Sequence, residues 1–125
     1  MSYTINEEKV FPHSKETLMK AVMGAIDALE GKVIKNDQLT GRLVAKFHKT
    51  ILGNVLGDRT QLELEILTSA PHETTLSMVI FPINPVGQPL QFGARKGVPR
   101  KVLTWFVAHV EHRLKKRVNP GFSFN

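Results

Sequence analysis

The sequence predicts an α+β domain: a curved antiparallel sheet in the order β-α-β-β-β-β-α, with two helices packed on one face. Two observations carry this reading. Two long segments place apolar residues at helical spacing, which gives each helix a single apolar face. Three segments between them alternate strictly between apolar and polar residues, as strands do when one face is buried and the other is wet. One-sided helices and a one-sided sheet bury their apolar faces against each other, which sets a layered fold.

The elements follow in order. Residues Tyr3 to Phe11 read as a first strand ended by Pro12. Ser14 suits a helix N-cap, because its hydroxyl accepts from a free backbone N–H. From Lys15 the chain reads as a helix whose apolar face is Leu18, Val22, Ala25, Ile26 and Leu29. Gly31 is expected to stop it in a left-handed conformation. Val33 to Asn36 and Arg42 to Lys49 read as a hairpin around the turn residues Asn36, Asp37 and Gly41. Gly53, Asn54, Gly57 and Asp58 mark a connection. Gln61 to Thr68 and Thr74 to Phe81 form the next hairpin.

The predicted inner face of the sheet is Leu43, Ala45, Phe47, Leu62, Leu64, Ile66, Leu76, Met78 and Ile80, with no polar member. The last helix is expected to begin at Pro99, whose missing N–H costs nothing in the first turn. Its stripe is Leu103, Phe106, Val107, Val110 and Leu114, and Asn119, Pro120 and Gly121 are expected to end it. Residues 119–125, with Phe122 and Phe124, read as a tail that docks or frays. The whole of residues 1–125 is one domain by length.

This element order resembles the fold of TATA-box-binding-protein repeats and of the helix-grip (START-like) ligand-binding domains. The resemblance covers nearly the whole chain as element order only. It implies that the apolar inner face could line a cavity between the C-terminal helix and the sheet, against which a filled core is the preferred reading at this chain length, and it carries over no functional residue.

Composition narrows the chemistry. The chain has no cysteine, which excludes disulfides, thiolate metal sites and cysteine nucleophiles. The N-terminus MSYTINEEKV has no apolar run, so a cytoplasmic protein without leader or anchor is expected. A formal charge of +6 favours anionic partners. His109 and His112 lie three residues apart on the last helix, but no further ligand completes a metal spacing, and no metal or cofactor is expected. No arrangement of nucleophile, base and orienting group is legible, so the chain reads as a non-enzyme.

The sharpest signal is the stretch from Phe81 to Lys101, which lies within an acid-free run from Thr74 to Val110. Its apolar residues Ile83, Val86, Leu90 and Phe92 read as a lid over the apolar interior. Arg95, Lys96, Arg100 and Lys101 gather at the start of the last helix, where an anion would meet free N–H groups and the helix dipole. Trp105 stands beside them on a flank with Lys101, His112 and Lys116. The function this predicts is non-catalytic binding of an anionic or amphipathic small molecule or lipid between the last helix and the sheet. The alternatives are nucleic-acid or anionic-membrane binding through the basic loop, and a protein-interaction domain. A solvated loop whose cations only aid solubility is the competing reading of the same residues.

Overall fold

A computed structural model describes residues Tyr3 to Val118, with side chains described as far as Lys115. The expected docking or fraying of residues 119–125, and the expected end of the last helix, lie outside the described residues. The elements are β1 (Ile5–Phe11), α1 (Lys15–Ala28), β2 (Lys32–Asp37), β3 (Arg42–Phe47), β4 (Thr50–Ile51), β5 (Asn54–Val55), β6 (Arg59–Ala70), β7 (Glu73–Ile83) and α2 (Val98–Val118). Five strands form one antiparallel sheet in the order β1-β7-β6-β3-β2, and β4 and β5 form a small separate hairpin. The α+β architecture follows the predicted order, with α1 and α2 packed against each other and on the sheet.

The alternation argument holds residue by residue. All nine predicted inner-face side chains are buried, and they meet Leu18, Val22, Ala25, Ile26 and Leu29 of α1 in one core. On α2 the buried positions, as far as side chains are described, are Val98, Pro99, Val102, Leu103, Phe106, Val110 and Leu114. Val107, expected in this stripe, is only half-buried, because α2 is turned so that Val102 takes the core and Val107 faces the edge of the sheet. The opposite face of the sheet is polar and partly wet. There Arg42 lies opposite Glu65 with their charged groups 3.7 Å apart, and Val44 lies opposite Glu63.

Several local expectations are corrected. α1 is capped as expected, with the Thr17 N–H donating to Ser14 Oγ at 3.2 Å. Its left-handed terminal residue, however, is Glu30 (φ 62), and Gly31 stays out of that region. Gly31 is required for space: a Cβ there would lie 2.5 Å from the Phe47 ring. Gly24, costly inside a helix, leaves room for the Arg113 side chain of α2, whose Nε would lie 2.6 Å from an added Cβ. The connection expected between Lys49 and Gln61 contains the β4–β5 hairpin. It is anchored by buried Ile51 and Leu56 and by Leu56 and Gly57 N–H groups donating to the Lys49 carbonyl.

The long Phe81–Lys101 segment is shorter and more ordered than its Pro and Gly content suggests. β7 continues to Ile83, and α2 starts one residue before Pro99. Between them, Asn84 Oδ1 accepts from the Val86 and Gln88 N–H groups at 3.0 Å each, and the Leu90 N–H donates to the Pro82 carbonyl. An Asn side chain that replaces backbone partners in this way closes a tight turn.

Among the described residues, one buried side-chain polar atom has no partner. Thr60 is fully buried on the inner face, and its hydroxyl makes no hydrogen bond. An unpaired buried hydroxyl costs free energy that an apolar group of the same shape avoids. Thr60→Val is therefore expected to leave stability unchanged or raise it by up to about 1 kcal/mol, read as the midpoint of thermal unfolding. Gly31→Ala is expected to lower stability by about 1–3 kcal/mol through overlap with Phe47.

Candidate functional site

The interior of the sandwich is filled: Leu43, Ala45, Leu62, Leu76, Ile80, Val102, Leu103 and Phe106 all have zero exposure. One concave region lies at the seam between α2 and the edge strand β1; smaller hollows lie on the outer face of the sheet and beside the start of α1. Two adjoining grooves of about 580 and 450 Å³ run along the seam and share Lys9, Ala108 and Glu111. Volumes of this order suit a small-molecule ligand.

The seam follows from the strand pattern of β1. Its inward positions are Ile5, Glu7, Lys9 and Phe11, so two charged residues occupy sites that an apolar side chain would fill in a central strand. Glu7 lies opposite Met78 and Lys9 opposite Leu76, both core residues. α2 supplies a counter-charge to each. Arg100 Nη2 lies 2.7 Å from Glu7 Oε2, and Lys9 Nζ lies 2.7 Å from Glu111 Oε2. All four side chains are roughly half-exposed. Ion pairs of that exposure contribute at most about 1 kcal/mol each, so parting them to widen the seam costs little.

Along the larger groove the walls are mixed. Val10, Phe11, Pro12, Ala108 and Leu114 give it an apolar lining, and His13, His112 and Lys115 give it cationic or ionisable groups. Thr74 Oγ1 donates to the His13 carbonyl at 2.8 Å, which fixes the turn that presents His13. The smaller groove contains Glu7, Arg100, Thr104 and Val107.

The residues predicted from sequence do not gather at the start of α2. Arg100 is drawn away to Glu7 on β1. The Arg95 backbone N–H donates to Asp58 Oδ2 at 2.6 Å, and its side chain lies against Gly57, where a Cβ would overlap the guanidinium. Lys96 and Lys101 are exposed. Arg100 and Lys101 are successive on a helix and so point about 100° apart. The residues of the expected lid are placed as follows. Ile83 is buried at the end of β7 and bridges to Pro89, Leu90 is half-buried, and Val86 and Phe92 are 79% and 86% exposed. Those two side chains are exposed. Trp105 is partly buried against the core at its rim, with Lys101 and His112 exposed nearby on the helix surface, and the Lys116 side chain lies outside the described residues. Of the predicted set, Arg100 alone lines the seam. Sequence reasoning missed Glu7, Lys9 and Glu111, for which the one available signal was the pair of charges at alternate positions of β1.

The opposite flank of α2 carries a second polar cluster. Arg113, lying over Gly24, donates from Nη1 to the His109 carbonyl and approaches His109 Nδ1 at 3.2 Å. Arginine has no acceptor, so Nδ1 of His109 is the accepting nitrogen. Burial first, then the charges of Arg113 and His112, lower the His109 pKa below its ordinary 6.5. The folded chain thus favours neutral His109. Its contribution to stability is present above 6.5 and declines as pH falls from there toward the lowered value. Arg113→Gln is expected to move the His109 pKa upward, seen by NMR titration of its ring; an unmoved pKa would show that the guanidinium does not act on it.

No protein-family model matches the chain, and no curated protein matches its sequence. Solved structures match its fold. A protein from Mesorhizobium loti has a TM-score of 0.56 at 17% identity, covering 90% of this chain and 97% of that one. Ara h 8.0201 has a TM-score of 0.54 at 12% identity, covering 92% and 99%. The adenylate sensor from AMP-activated protein kinase, solved in complex with 5-aminoimidazole-4-carboxamide 1-beta-D-ribofuranotide, has a TM-score of 0.54 at 12% identity, covering 82% and 94%. Identities this low show a shared fold and leave function to be argued from the site. The likeness to helix-grip domains holds at the level of topology: one five-stranded antiparallel sheet, with a long C-terminal helix packed over it.

Proposed function

We propose that the chain is a non-catalytic binding domain for an amphipathic small molecule with an acidic head group, held in the seam between α2 and β1. The observation that carries this reading is the groove itself. Its larger part has an apolar lining with Lys115, His13 and His112 at one end, its smaller part holds Arg100 beside Glu7 and Glu8, and the ion pairs across it part at low cost. An alkyl or ring system would lie against Val10, Pro12 and Ala108. Its carboxylate or phosphate would meet Lys115 with His13 and His112, or at the other mouth Arg100. The fold supports α2 as one wall of the site, since the helix-grip arrangement sets a C-terminal helix against a sheet; here the space between them is filled, and the seam at their edge is what stays open. Catalysis is not part of the proposal, because Glu7 and Glu111 are each engaged by a cation and no activated nucleophile stands beside them among the described residues.

The test is a calorimetric titration with a medium-chain fatty acid and with its uncharged alcohol. Binding of the acid in the micromolar to millimolar range is expected, with the alcohol weaker. Ala108→Trp, which fills the groove from an exposed position, is expected to weaken binding by about tenfold or more without lowering the melting temperature. The proposal is lost if the unmodified protein gives no heat at millimolar acid, or if Ala108→Trp binds as tightly.

A further inference from the structure

A second surface lies at the end of the sheet where β6 begins and β7 ends. Arg59 and Ile83 are paired there, so the loop before β6 and the loop after β7 leave from the same place. The two loops are tied together by the Arg95 N–H on Asp58 and by the Arg95 side chain on Gly57. Each exposes apolar residues at its tip. Val55 and Leu52 are 80% and 54% exposed on the β4–β5 hairpin, and Phe92 and Val86 are 86% and 79% exposed on the other loop. Leu52 is held in a left-handed conformation (φ 50), with its N–H donating to Glu30 Oε1 at 2.9 Å. A leucine is disfavoured in that conformation, and here it is fixed on an exposed tip.

Charge accompanies these tips. Residues 48–58 and 84–97 contain Lys49, Arg95 and Lys96 against one acid, Asp58, and Glu30 at the end of α1 adds a second carboxylate beside Leu52. Asp58 is already engaged by the Arg95 N–H.

We infer that this loop end docks on an anionic phospholipid bilayer, with Phe92, Val86, Val55 and Leu52 entering the headgroup boundary and Lys49, Arg95 and Lys96 meeting lipid phosphates. Apolar tips among cations complement such a surface on both counts: apolar burial and attraction to anionic lipid add. A single-stranded nucleic acid fits less well, because it needs a series of stacking faces and these loops offer one aromatic ring, Phe92. No helix among the described residues is long and apolar enough to cross a membrane, so the contact is peripheral. With three cations and four apolar tip residues the attachment is reversible. Each cation near an anionic surface is worth about fivefold in partitioning.

The experiment is flotation of the full chain with vesicles of phosphatidylcholine alone, and with about one-third phosphatidylserine, at low and high salt. Association with the anionic vesicles is expected, falling as salt rises. Phe92→Ser is expected to reduce it about tenfold, and Val55→Ser to add to that loss. Both positions are exposed, so the variants should keep the unfolding midpoint, which is measured alongside. Ala108→Trp should float as the unmodified protein does, so the groove and this surface fail separately. The inference is overturned if anionic vesicles at low salt float no protein, or if Phe92→Ser with Val55→Ser floats undiminished. It is equally overturned if single-stranded nucleic acid binds in a salt-sensitive way while vesicles do not.

Discussion

The structure depends on one constraint: the apolar face of the five-stranded sheet has to be covered across its width. Side chains from β3, β6 and β7 present that face without a polar interruption on those strands apart from the buried Thr60 and Thr74. Two helices lie on it side by side, α1 closing against Phe47 through Gly31 and α2 crossing toward β7. At β1 the inward positions become charged, and the helix meets them with Arg100 and Glu111 in place of apolar packing. Inward charges on an edge strand also discourage pairing with another sheet, so the same residues protect the edge and leave the seam open. A seam made of half-exposed ion pairs is the weakest boundary around the core, because neither pair contributes much to stability.

Much of the fold was legible because it rests on periodicity. Strict alternation located Leu43 through Ile80 on the inner face, and the helical spacing of Leu18 through Leu29 located the buried face of α1. What stayed illegible rests on contacts distant in sequence. Nothing local marks Glu7 as the partner of Arg100 or Lys9 as the partner of Glu111. β4 and β5 have two residues each, too few for a period to be seen, and they sit among glycines that read as a turn. Gly31 was expected to serve backbone conformation, yet it serves the Phe47 ring, a distinction set by tertiary packing.

The cationic segment shows the same limit. Arg95, Lys96, Arg100 and Lys101 are neighbours in sequence, but the turn at Gly97 (φ 83) and the rotation of a helix send them apart. Arg95 braces one loop against another, Arg100 joins β1 to α2, and Lys96 and Lys101 face solvent. Exposed Val86 and Phe92 likewise gain meaning only beside Leu52 and Val55, which belong to a different loop. Proximity in the chain suggested one site; the fold divides those residues between a seam and a loop surface.

The central claim is that this sandwich has a dry, filled interior and that a ligand enters at its β1–α2 seam. Intermolecular NOEs from an isotope-labelled fatty acid to the protein methyl groups test it most directly. The account predicts NOEs from the acyl chain to Val10, Val107 and Ala108. NOEs confined to interior methyls such as Leu62, Leu76 and Ile80 would contradict it, since they would require an internal cavity among side chains that have no exposure.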